Sequence, residues 1–505
     1  MTMKRNWTRR ELLQNTTLGG AVIAGSEGLT SIALAANRSA RSEAEIERIA
    51  EQIMDTPSAE TVSLVLHEMK KGLSVDQLLA AEFNAGIRFH GHHSAYVGAS
   101  VAAVSERVTT PGTKLLPVFY YLNVLKFRAK RNALHWVDKR KVPPATKAKD
   151  FFHQAMTEGD RRDAGLALIA LGRDLGPQQA YRHLWEFGAE RNAASGGHTA
   201  VSVTNTYRTL EATNWQCSET ALQFAAVDEA WRPPRGSTLC LANRERSQRV
   251  DEFPKNWSTA SPDRGATLEL LNLYREGRPD SACKTTFNKL RKNQVSAQSA
   301  WDAVFLVTAE LVARYEWVGQ KMLAGHSVTC VNALHYMFRK LTEHDARLYS
   351  LLEAIEWATS FLARERARPA LRELDLLNVE PIEGTDAEAM DAIFSRLPPR
   401  RFASMARPGF DNVDEAMKIT LGWAIRRTDH RLFIEIAMQL MCIKSTAEVH
   451  DFKFPMALFE NYDYISANWK PYLLAASVHV LHGTIMEDSA IVKQAREQLV
   501  GLRSR

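Results

Sequence analysis

Ala303–Leu323 reads AVFLVTAELVARYEWVGQKML, and Leu348–Arg368 reads LYSLLEAIEWATSFLARERAR. Apolar residues recur through both at three- and four-residue steps, the spacing that lines one side of a helix. Ser42–Asp55 (SEAEIERIAEQIMD) and Ser74–Arg88 (SVDQLLAAEFNAGIR) are amphipathic in the same way. Ser74 with Gln77 supplies a capping box for the second. Strand signals are scarce: no Asn-Gly or Asp-Gly joins two alternating runs. The expected fold class is therefore all-α, a large irregular helical bundle or partial solenoid. No consensus of a helical repeat is visible.

Two stretches break the helical pattern. Residues 229–264 and 366–411 are rich in Pro, Arg and Ser and exceed ordinary connection lengths. They are expected to be covering loops, with one short helix inside the second. The expected organisation is a removable leader over residues 1–35 and one large helical domain over residues 36–505.

The leader is legible as an export signal. Thr8-Arg9-Arg10-Glu11-Leu12-Leu13 resembles the twin-arginine consensus. A mildly apolar stretch and Ala33-Leu34-Ala35 follow as a cleavage site. That implies passage through the twin-arginine translocation machinery to the periplasm or beyond. No later segment is long and apolar enough to span a bilayer, so stable membrane insertion is not expected.

Composition is that of a globular protein, 45% hydrophobic and 24% charged. The net charge of +6 falls to +4 once the leader, with four basic and two acidic residues, is set aside. That gives no case for a nucleic-acid partner. The Lys126–Lys149 segment is the one basic cluster and reads as a helix end with a solvated loop, or as an anionic docking patch. The five cysteines show no CxxC pairing, which leaves zinc ribbons and c-type haem unsupported. Cys330 stands one helical turn after His326, as a soft ligand or a small core residue.

Four histidines share similar surroundings: His93 (HHSAYVGAS), His198 (GGHTAVSVTN), His326 (AGHSVTCVN) and His450 (EVHDFKF). They are spaced 105, 128 and 124 residues apart, and a Gly precedes each of the first three by one or two residues. Either each is a satisfied core residue, or four helices aim four imidazoles at one metal ion. His90 and His92 crowd His93, so the ligand there is open between them. His479 and His482 form a reserve pair three residues apart.

Lys453 lies three residues after His450, on the same helical face. A lysine ammonium cannot bind a metal, but a neutral amine or its carbamate can. The alternative is a lysine reaching solvent, or pairing with Asp451 or Glu448. Lys321, five before His326, is a weaker candidate unless Gly325 separates two helices. Four imidazoles and one further donor leave one octahedral position open, which favours iron(II), with Mn, Cu or Zn as alternatives. Asn205, Arg208 and Asn332 follow the histidines on their helices, as does Ser100. They are candidate catalytic or orienting groups for a small substrate, or plain interhelical hydrogen-bonding residues.

Two resemblances rest on these residues. LLAAEFNAGIRF, GGHTAVSVTNTYRTL, AGHSVTCVNALHY and VHDFKFPMALFENYDYISANWKP resemble a set of twin-arginine-exported bacterial proteins without assigned activity. More distantly, Lys321, His326, Val328 and Thr329, with His450, Lys453 and Phe454, resemble motifs of questin-oxidase-like proteins. A histidine expected two residues after the first of these lysines is Leu323 here. That second resemblance implies non-haem iron, or cofactor-free, oxygen chemistry on aromatic rings. The expected function is an exported metal-dependent oxygenase or oxidase for a small aromatic or apolar molecule. The rivals are a non-catalytic helical scaffold and a metal-dependent hydrolase.

Overall fold

A computed structural model describes residues 41–503, apart from 90–91, 109–112, 114, 129–140, 193–194, 231–236, 316–317, 367–370, 385 and 399–409. The leader therefore lies outside the described residues. The first helices are α1 (Glu43–Asp55), α2 (Ser58–Lys70), α3 (Val75–Phe89), α4 (His92–Arg107), α5 (Leu116–Arg128), α6 (Ala145–Glu158), α7 (Arg161–Leu175) and α8 (Pro177–Glu190). Next come α9 (His198–Ala212), α10 (Ser218–Ala230), α11 (Thr238–Ser247), α12 (Arg264–Arg275), α13 (Pro279–Arg291), α14 (Ala297–Arg314), α15 (Val318–Lys340) and α16 (His344–Arg366). The chain ends with α17 (Asp386–Arg396), α18 (Phe410–Ile425), α19 (Arg431–Lys444), α20 (His450–Tyr464), α21 (Lys470–Ser477) and α22 (Ala490–Arg503). There is no strand among the described residues beyond an isolated bridge between Tyr315 and Leu371. The fold is all-α.

Local chemistry sets the helix ends. The Ser42 hydroxyl accepts the Glu45 N–H, and the Glu45 carboxylate accepts the Ser42 N–H. Ser74 and Gln77 form the expected capping box at 3.0 and 3.2 Å. Behind the Ser42 cap, Ile46, Ile49, Ala50 and Ile53 turn one buried face inward. Such faces cover the outside of the molecule.

The centre is different. Every residue of α20 from His450 to Tyr462 is buried. Helices α4, α9, α15 and α20 pack as a closed ring: α4 on α9, α9 on α15, α15 on α20, and α20 back on α4. All four run the same way. Arg107 pairs with Asp463 at 2.7 Å, Arg208 pairs with Glu460, and the Thr204 hydroxyl reaches the Ala333 carbonyl at 3.3 Å. Each contact lies further along both helices than the histidine that each helix carries. Neighbours joined by short loops must be antiparallel. Parallel neighbours need long crossovers, and the other helices of the chain supply them. This accounts for histidine spacings of more than one hundred residues.

Several expectations need correction. Ala303–Leu323 is not one helix. Helix α14 ends at Arg314, and Tyr315 is extended at φ −86°, ψ 134°. Here the backbone turns aside to pair with 371–372, where the Arg372 N–H donates to the Arg314 carbonyl. Gly325 does not separate two helices, because α15 runs unbroken through it. Nor is the first Pro- and Arg-rich stretch a plain loop, while the second carries the one short helix expected of it. The first holds α11, packed on α13 and α16, and the second holds α17, packed on α18. Neither of these helices has its main contacts on the histidine-bearing ring. Lys126 is not a docking residue: its ammonium caps the end of α1 at the Met54 and Thr56 carbonyls.

Candidate metal centre

Three of the four ring helices begin at, or one residue before, their histidine: α4 at His92, α9 at His198 and α20 at His450. Gly197 sets the start of α9. It has φ +85°, and a Cβ there would lie 2.7 Å from the Trp357 ring. His326 lies eight residues inside α15, which starts at Val318. Gly325 beside it lets Phe454 approach so closely that a Cβ would stand 2.4 Å from the ring. The chain thus uses glycine where a histidine-bearing segment must press against a neighbour.

The four imidazoles meet at the common end of the ring. Ring centroids are 6.2 Å apart for His93 and His198, and 4.9 Å for His198 and His326. They are 5.4 Å apart for His326 and His450, and 6.1 Å for His450 and His93. The circuit closes on itself. Four imidazoles bonded to one ion at about 2.1 Å would place adjacent centroids about 4.5 Å apart at right angles, about 5.2 Å at the tetrahedral angle and about 6.4 Å when opposed. The His198–His326 and His326–His450 separations match shared coordination, while His93, at 6.2 and 6.1 Å from two neighbours, would have to swing inward to share one ion with both. As the side chains stand, no group of three or more His, Cys, Asp or Glu among the described residues is placed so that it could hold a metal ion. The centroid spacing is the better guide to capacity, because ring rotation reorients the nitrogens without moving the backbone.

Two of the rings have a defined tautomer. His198 Nδ1 stands 2.9 Å from the Ser195 carbonyl, which can only accept. His450 Nδ1 stands 2.5 Å from Glu448 Oε1. In both, Nδ1 holds the proton and Nε2 keeps its lone pair, the arrangement found in metal-bound imidazoles. His93 is the histidine of the N-terminal cluster that joins the ring. His90 and the side chain of His92 lie outside the described residues.

Beneath the ring lies a floor that sequence reading found only in part. Tyr96 sits 6.0 Å from His93 and 6.2 Å from His198. Phe454 sits 5.5 Å from His326 and 4.8 Å from His450. Lys453 Nζ lies between these two aromatics, 5.5 Å from the Tyr96 ring and 5.4 Å from that of Phe454. Lys453 is only 2% exposed, and Nζ has no hydrogen-bond partner among the described residues. Burial pushes its pKa down to about 7, while Glu448 partly opposes the shift. The alternative of a lysine reaching solvent is therefore overturned. Asp451 does not pair with it either, since that carboxylate accepts the Thr446 N–H and hydroxyl.

The other candidates sit elsewhere. Asn205, Arg208 and Asn332 are brought together, but not at the histidines. Arg208 reaches Asn205 and Asn332 at 3.5 Å each and pairs with Glu460, while Asn332 donates to Asn461 at 3.1 Å. At a rise of about 1.5 Å per residue, this layer lies roughly 9–15 Å further down the bundle. Ser100 is buried at a similar depth on α4. The cluster underlies a small cavity of about 130 Å³ at the far end. These residues tie the parallel helices in register and do not face the four histidines. Cys330 is a buried thiol that accepts from Asn192 at 2.8 Å, and burial drives its pKa well up. It is core, not ligand. His479 neighbours Asp414, and His482 neighbours Ser445 and Asp451, so the reserve pair serves other contacts. Lys321 lies on α15, but its side chain is outside the described residues.

No family model, curated protein or solved structure matches this chain. The functional reading rests on the residues themselves. Sequence reasoning missed Tyr96; it named Glu448 only as a partner for Lys453, not for His450, and Phe454 only as a motif residue. A signal for the first existed: Tyr96 follows His93 by three residues, as Lys453 follows His450.

Proposed function

We propose that this chain is a metal-dependent oxygenase or oxidase whose ligands are His93, His198, His326 and His450. Iron(II) is the first choice and Mn, Cu or Zn the alternatives. The closed circuit of four imidazoles carries this reading. No sheet, loop or sequence motif forces four helices from distant segments to place a histidine at one end of one ring. An all-nitrogen set without thiolate suits a borderline divalent ion.

Lys453 is the candidate fifth donor. Its amine is buried below the ring, and burial favours the uncharged form that can bind a metal. The same amine can add carbon dioxide, releasing a proton and forming a carbamate with an anionic oxygen. His93, His198 and His326 are only half-buried at the outer end of the ring, the side from which a small substrate would approach. A bound divalent ion with one open position supplies dioxygen activation. The protein's part is to hold the imidazole tautomers, to keep water from the floor with Tyr96 and Phe454, and to admit a small aromatic or apolar substrate. The export reading of residues 1–35 fits this proposal, because the twin-arginine route carries proteins folded with their cofactor in place.

Elemental analysis of the protein, purified after export, tests the reading. About one transition metal per chain is expected, with loss in His326→Ala and His450→Ala. Less than a tenth of an equivalent in the parent protein would leave the scaffold reading. Oxygen uptake with aromatic substrates, against hydrolysis without it, separates oxygenase from hydrolase.

A further inference from the structure

We propose that Glu448 is a positioning residue that makes His450 a more strongly donating imidazole than His198, an inference that rests on the four-histidine metal reading. Each of these two histidines has a defined Nδ1 partner, and the two partners differ in charge. His198 is held by a neutral carbonyl, that of Ser195, at 2.9 Å. His450 is held by a carboxylate at 2.5 Å. An ionised acceptor draws on the Nδ1–H more strongly than a carbonyl does, which raises the basicity of Nε2 on the other side of the ring.

The surroundings show that this contact is built. The side chain of Glu448 is 19% exposed and that of His450 7%, so water dilutes their attraction little. The Tyr120 hydroxyl donates to the backbone carbonyl of Glu448 at 2.6 Å. The Tyr120 ring stacks on Phe452, with centroids 3.9 Å apart and planes at 7°. Residues on both sides of His450 are thereby fixed to one tyrosine of α5. The His450 N–H also lies 3.5 Å from the same Glu448 oxygen. The nearest rival carboxylate, Asp451, is engaged by Thr446. Glu448 is the carboxylate assigned to His450, and its task is to fix one tautomer and aim one lone pair.

The test uses the full chain with Glu448→Gln and Glu448→Asp. In chelator-treated protein, nitrogen-15 NMR of the histidine rings reads the tautomer of His450 directly. The parent should show a single Nδ1–H form with a strongly deshielded proton, which weakens or disappears in Glu448→Gln. Cobalt(II), followed by its d–d absorption, should bind about 10- to 100-fold more weakly to Glu448→Gln. Glu448→Asp should recover part of the loss. Parent-like cobalt affinity in Glu448→Gln, or an unchanged Nδ1 proton, overturns the assignment. If the parent itself holds no cobalt, the metal reading fails. The ring NMR then still decides whether Glu448 orders His450.

Discussion

Replacing Lys453 by Met should make the protein more stable at neutral pH. The cause is the burial of its amine. In the unfolded chain the ammonium keeps its proton up to about pH 10.5, the ordinary lysine value. In the folded chain burial lowers that pKa to about 7. Between these values the unfolded chain binds more protons, so the parent's stability rises with pH from 7 to 10.5 and is lowest, from this source, at pH 7 and below. At about 1.4 kcal/mol for each pH unit, the penalty reaches about 5 kcal/mol at pH 7 as an upper figure. Methionine keeps the unbranched stem and carries no charge. No hydrogen bond is lost, since Nζ makes none among the described residues. Urea unfolding of chelator-treated parent and Lys453→Met at pH 7, 8 and 9 measures the difference. The variant's advantage should be a few kcal/mol at pH 7 and should shrink by about 1.4 kcal/mol for each unit of rising pH. A pH-independent difference, or a variant less stable at pH 7, would refute this reasoning. In the same variant, metal affinity should fall, which separates what Lys453 does for the site from what it does to the fold.

Gly325→Ala places a Cβ 2.4 Å from the Phe454 ring, so α15 and α20 must part; about 1–3 kcal/mol of stability should be lost, read as a lower thermal midpoint. Gly197→Ala combines φ +85° with a clash against Trp357, and should both destabilise the protein and lower its metal content. Arg208→Met leaves Glu460 buried without its guanidinium and should cost about 3–5 kcal/mol in denaturant unfolding. If the layer acts only in register, the Arg208→Met chains that remain folded should bind cobalt with parent-like affinity.

The legible part of the site came from composition at helix starts. Gly before His, then small and β-branched residues, marked His93, His198 and His326, of which the first two stand at helix starts and the third lies inside α15. The illegible part was depth. Periodicity put Asn205, Arg208 and Asn332 near the histidines' faces, but a face runs the length of a helix. A few turns of rise carried these residues to a separate layer. The pairing of Glu448 with His450 escaped because it depends on a side chain folding back over two residues, and such a return has no periodic signature. Helix boundaries were misread where a tertiary contact decided them. Tyr315 stops α14 because the backbone at 371–372 is there to receive it, and nothing within Ala303–Leu323 encodes that partner.

The same-direction ring also fixes when the site can exist. The circuit of four closes only after three crossovers, each of more than one hundred residues, have formed. Closure entropy grows slowly with length, but contacts of such large sequence separation make folding slow. His450 is the last of the four to be synthesised, so no segment that stops short of it can complete the circuit. On the proposed metal reading, a filled centre would report that all three crossovers have closed.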